Sequence, residues 1–209
     1  MDEQSDRAAV LTALAAEHFV LQSANSTTYS EASARSALYV MALSSSLVAI
    51  GFAAGSADML LPFATVVLPA LFVLGIFTVI RLVETSLESA HYLAGIARIR
   101  AYYRTLGPDA MRLFAPEHGR WPEVESPALR LGRALAFFGT TASMIAAINN
   151  LVAGVGIALL SRSLFPSELP WAGFAAGTAV ALVLTWMFYK YQRWRFAEYD
   201  IRGTSRADR

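Results

Sequence analysis

Cysteine is absent from the 209 residues. That excludes a disulfide framework, a thiolate metal site and a cysteine nucleophile. Lysine is nearly absent as well, since sixteen of the seventeen basic residues are arginine and Lys190 is the exception. There is no glycine-rich phosphate loop, no HExxH and no GxSxG, and these are the local patterns that nucleotide, zinc-protease or hydrolase chemistry would need. The acidic start, Met1 to Asp6, lacks the basic segment that opens a signal peptide. The formal net charge of +1 carries no nucleic-acid footprint.

The most telling absence is local. Four stretches, Ala37–Ala57, Leu60–Ile80, Ala134–Ser161 and Leu169–Tyr189, contain no Lys, Arg, His, Asp or Glu. About 20 apolar residues in a helix, at ~1.5 Å rise each, match the ~30 Å hydrocarbon core of a bilayer. With no acid or base inside these runs, proton relay and voltage sensing lack their machinery. The expectation is therefore an all-α polytopic membrane protein with four transmembrane helices in two hairpins and a cytoplasmic helical extension. It is expected to be no enzyme and to use no metal or cofactor.

The arginines predict its orientation. Arg7 and Arg35 precede the first run, eight arginines from Arg81 to Arg133 lie between the second and third, and Lys190 with five arginines follows the fourth. Only Arg162 sits in the turns on the other side. The positive-inside rule then puts both termini and the middle segment in the cytoplasm of a cell (inner) membrane protein, with the first run as its own insertion signal. The layout divides at 1–35 (amphipathic helix and joint), 36–81 (first hairpin), 82–133 (stalk and Pro-rich loop), 134–190 (second hairpin) and 191–209 (basic tail).

Before the first run, Ala8–Leu21 is apolar but broken by Glu17 and His18. It suits a cytoplasmic or interfacial helix, with Ser5 and Asp6 as candidate caps. The second run holds Pro62 near its start and Pro69 near its middle, where a bend is expected. Its helical pattern continues past the membrane as a stalk about 35 Å long by helix rise, to a stop at Gly107–Pro108. Prolines 108, 116, 122 and 127 leave room for one short helix, Asp109–Phe114. Ser126–Pro127 reads as the cap and first position of the third helix.

Four groups of residues are candidates for a role. Gly51 and Gly55 in the first run and Gly173 and Gly177 in the fourth sit in nearly identical heptapeptides, and glycines four apart allow close helix packing. The simplest expectation pairs the first span with the fourth, and an oligomer face is the alternative. Asn149 and Asn150 in the third run, with Ser44, Ser45 and Ser46 in the first, are the candidate polar site within the membrane. Interhelical hydrogen bonding, about 0.6 kcal/mol each, is expected of them more than a water-filled path. Arg81, Glu84, Glu88 and His91 form a stripe on the stalk, expected to be a ladder of ion pairs. Arg98–Arg104 is a basic aromatic patch suited to a solvated face or to anionic headgroups.

Two functions fit. One is a structural or regulatory membrane protein that presents a cytoplasmic helical platform to a protein partner. The other is a self-associating pore, channel or membrane-perturbing effector. In outline the chain is similar to small bacterial membrane effectors with cytoplasmic helices and a few spans, a likeness of layout without a shared motif. The expected partners are the lipid bilayer, a second copy or a cytoplasmic protein, and no nucleic acid.

Overall fold

The computed structural model describes residues 3–115, 139–164 and 171–207. Five helices account for nearly all of them: α1 (Glu3–Ala53), α2 (Ala57–Arg104), α3 (Pro108–Leu113), α4 (Thr141–Leu164) and α5 (Trp171–Ala207). No strand occurs among the described residues. α1, α2, α4 and α5 are each long and apolar enough to cross a membrane.

Gln22–Arg35, rich in Ser, Thr and Ala and able by sequence either to continue the helix or to act as a polar joint, is helical throughout, so α1 is one helix of 51 residues, about 75 Å long. Ser5 and Asp6 lie inside it and do not cap it. α1 and α2 are joined by three residues, Ala54 to Ser56, through bonds such as Gly55 N–H to Phe52 C=O (3.2 Å). α2 runs helically through Pro62 and Pro69 and then through the charged stretch to Arg104. Past Gly107, the short helix is Pro108–Leu113, with proline at its first position as sterics favour. The proposed cap at Ser126–Pro127, the loop prolines from 116 on and most of the turn before Trp171 lie outside the described residues.

The third run holds a correction. Its helix was expected to run through the whole run from Ser126, but α4 starts at Thr141, behind the non-helical Gly139 and Thr140. Thr140 is the N-cap: its hydroxyl accepts the Ser143 N–H (3.2 Å) and its carbonyl accepts the Met144 N–H (3.0 Å). A threonine whose hydroxyl satisfies one otherwise orphaned amide, that of Ser143, while its carbonyl takes the first intrahelical bond makes this start favourable.

Contacts divide the chain into two units, Met1–Ala32 with Glu84–Phe137 and Ser33–Val83 with Phe138–Arg209. In the first unit, Leu87, Ile96 and Ile99 of α2 are buried. Asn25 of α1 is buried too and accepts a 2.7 Å hydrogen bond from the Ser89 hydroxyl of α2. Gly95 leaves room for Leu21, whose Cδ1 would lie 2.9 Å from an added Cβ. At the stalk end, the Phe114 ring lies 5.2 Å from that of Tyr103 and 5.7 Å below the Arg100 guanidinium. Arg104 donates to the Phe114 carbonyl (3.3 Å). Part of the basic aromatic patch is thus engaged in holding the segment after α3.

In the second unit, Ala64, Leu68 and Leu71 of α2 and Val152 of α4 form a buried cluster, with Ala42, Leu43 and Ile50 of α1 packed on it. A third of the apolar stretch is buried in α2 and in α4, against 6% in α1 and in α5. α2 and α4 are therefore the inner helices, and the outer two present Leu38, Phe52, Phe174 and Leu182 outward.

Candidate functional site

α4 carries the polar residues that matter. Asn149 and Asn150 are neighbours, so their side chains leave the helix about 100° apart and reach different partners. Asn149, 2% exposed, accepts a hydrogen bond from the Tyr39 hydroxyl of α1 (3.2 Å) and donates to the Phe72 carbonyl of α2 (3.2 Å). Its amide occupies the space beside Gly75, where an added Cβ would collide with Asn149 Oδ1. Asn150, also buried, donates to the Thr185 hydroxyl of α5 (3.1 Å), which in turn donates to the Ala181 carbonyl (2.8 Å).

Two turns back along α4 a second knot forms. Gln192 of α5, 2% exposed, donates from Nε2 to the Thr140 hydroxyl (3.3 Å) and accepts from the Ser143 hydroxyl at Oε1 (3.4 Å). Thr140 and Ser143 are 2.9 Å apart, oxygen to oxygen. With Ser143 committed to Gln192, Thr140 donates to Ser143 and the three groups close a ring in which each gives and accepts. Low dielectric strengthens such bonds and penalises any broken one.

Below this polar level the contacts turn to backbone. A Cβ on Gly154 of α4 would lie 2.7 Å from the Gly177 carbonyl of α5, and one on Gly177 would overlap the Gly154 carbonyl. A Cβ on Gly173 would lie 3.1 Å from the Ala158 carbonyl. The glycines of the fourth run therefore pack against the third, and the expected pairing with the first does not occur within the chain. Gly51 has nothing within 4 Å of its Cβ position, and Gly55 meets only Phe52 of its own helix end.

None of the hydrogen bonds of Asn149 and Asn150 described above involves the serine belt, of which Ser46 is half-buried. Ser44 and Ser45 are exposed, and the Ser45 hydroxyl is spent on the Met41 carbonyl (2.9 Å). Tyr39, Gly75 and Gln192 escape a reading of the sequence. The only signal of the first was a lone tyrosine in the first run, and Gln192 fell beyond the last apolar run. On the stalk stripe, Arg81, Glu84 and Glu88 are half-buried, while His91 is exposed with its ring 6.2 Å from that of Tyr92. No cluster of metal-ligating side chains occurs among the described residues. The one buried side-chain nitrogen or oxygen without a partner among them is Nδ1 of His18.

Two grooves of about 310 Å³ flank α4. One, between α2, α4 and α5, is lined by apolar groups around Pro69, Phe72 and Gly156. The other follows the α4–α5 seam and ends at Arg162. No titratable pair faces either, and the arrangement is chemically a set of hydrogen-bond clamps and close backbone contacts centred on α4. No protein-family profile, curated protein or solved structure matches the chain.

Proposed function

We propose that this is a multi-pass membrane protein of the inner membrane with cytoplasmic termini, structural or regulatory in role, whose α1 and α2 extend from the bilayer as a helical platform for a cytoplasmic partner. The observation that carries the reading is the use made of Asn149 and Asn150. Both amides are buried and bonded to other helices of the same chain, as packing groups would be, whereas pore-lining groups need water. The unbroken passage of α1 and α2 from apolar into charged sequence supports the platform.

A self-associating pore is the second reading, favoured by the unoccupied Gly51–Gly55 face. Liposome flux on the wild type and on the Asn149→Leu/Asn150→Leu variant separates the two. The platform reading expects no flux from either. Wild-type flux that disappears in an assembled variant overturns it. Reporter fusions after Arg209 test the orientation: a reporter active only in the periplasm should be silent there.

A further inference from the structure

We propose that the furrow along the α4–α5 seam is a binding site for a single phospholipid, with one acyl chain in the furrow and the phosphodiester on Arg162. The inference rests on the membrane reading above.

The furrow exists because its floor is backbone. Gly154 and Gly177 let the two helices touch, so nothing fills the seam above them. Larger side chains stand on either side: Leu151 and Val155 from α4 and Phe174 and Leu182 from α5 are 55–68% exposed. The result is a slot with tall apolar walls. A smooth helix pair would offer lipid a convex surface; this one offers a concavity of about 310 Å³.

Its length and its end define the occupant. From Leu151 to Arg162 along α4 is about 16 Å by helix rise, close to half of the ~30 Å hydrocarbon thickness. That is the depth one acyl chain reaches in one leaflet. At the shallow end stands Arg162, in the last turn of α4 and part of the furrow lining. It is exposed and the single basic residue between the third and fourth runs. A guanidinium at that level meets the phosphate layer, where its planar fork can hold two phosphate oxygens. Exposed Trp171 at the start of α5 suits the same interface. An apolar slot one leaflet deep with a cation at its mouth is complementary to a phospholipid. A free fatty chain, or phosphate alone, would use half of it.

The test uses the full chain in mild detergent, with native mass spectrometry after addition of dipalmitoyl phosphatidylglycerol. The wild type should retain one molecule. Arg162→Gln removes a charge-assisted hydrogen bond and should weaken retention about tenfold or more. Thr178→Trp, at an exposed wall position off the Gly154–Gly177 contact, should fill the furrow and weaken it similarly. Both variants should melt with the wild type; if the tryptophan variant does not fold, Arg162→Gln alone decides. Dipalmitoylglycerol, with the same chains and no phosphate, should be held at least about tenfold more weakly, and inorganic phosphate should not compete. The proposal is overturned if the wild type retains no lipid, if Arg162→Gln or a folded Thr178→Trp retains it equally, if the diacylglycerol binds as well, or if phosphate displaces it. Extraction of the chain from membranes by alkaline carbonate would instead sink the membrane reading itself.

Discussion

Gly75 of α2 is the residue that makes room for Asn149 of α4: a methyl group at position 75 would occupy the place of the buried amide oxygen. This one contact lets Asn149 lie against the α2 backbone, reach the Phe72 carbonyl and still receive the Tyr39 hydroxyl. An asparagine with no such recess would have its amide pushed out among apolar side chains, where an unpaired polar group costs a few kcal/mol.

Gly75→Ala should therefore destabilise the protein by about 1–3 kcal/mol, the usual cost of overpacking. Gly51→Ala, where a Cβ meets nothing, should be neutral or stabilising by about 0.5–1 kcal/mol through helix propensity. Thermal unfolding in detergent compares the two. Equal melting temperatures for the variants would refute the recess.

The clash predicts its own rescue. Asn149→Ala in the Gly75→Ala background removes the obstructing amide, so the double variant should be more stable than the sum of the single losses predicts, by about 0.5–3 kcal/mol of coupling. Simple additivity would show that the two side-chain positions do not compete for space.

Gly95 provides a contrast on the same helix. Its Cβ would first meet the flexible end of Leu21, at 2.9 Å, and leucine can turn aside. Gly95→Ala should cost about 1 kcal/mol or less, well under Gly177→Ala, which drives a methyl into the Gly154 carbonyl and should cost about 1–3 kcal/mol. The reverse order, read by the same unfolding assay, would contradict the backbone contact between α4 and α5.

Tyr39→Phe should lower stability by about 0.6 kcal/mol, the average worth of a hydrogen bond between membrane helices, and by no more than about 1.7 kcal/mol. Asn149→Leu should erase the effect of Tyr39→Phe, because the acceptor is then gone. A full effect of Tyr39→Phe in that background would show that its hydroxyl bonds elsewhere.

Some of this architecture is legible from composition. Long stretches without charge specify helices of membrane length, because an apolar backbone segment has few other ways to satisfy its amides. Proline and glycine at 107–108 mark the end of α2, since a ring without an N–H cannot continue the ladder. Candidate packing glycines and buried asparagines are visible for the same reason: small and polar residues stand out in an apolar run.

What periodicity cannot supply is the partner across the gap. It assigns a residue to a face of its own helix and is silent about which helix that face meets. Gly177 could have packed on Gly51 by sequence alone; tertiary structure put Gly154 there instead. The asparagines looked alike, yet a turn of about 100° on the helix sends one to Tyr39 and Phe72 and the other to Thr185. Asn25 and Gln192 lay outside every apolar run and were found only as buried partners of Ser89, Thr140 and Ser143. Composition determined which residues leave water and where helices run, whereas close packing decided which polar groups meet, because hydrogen bonds and backbone contacts depend on distances that only the assembled helices set.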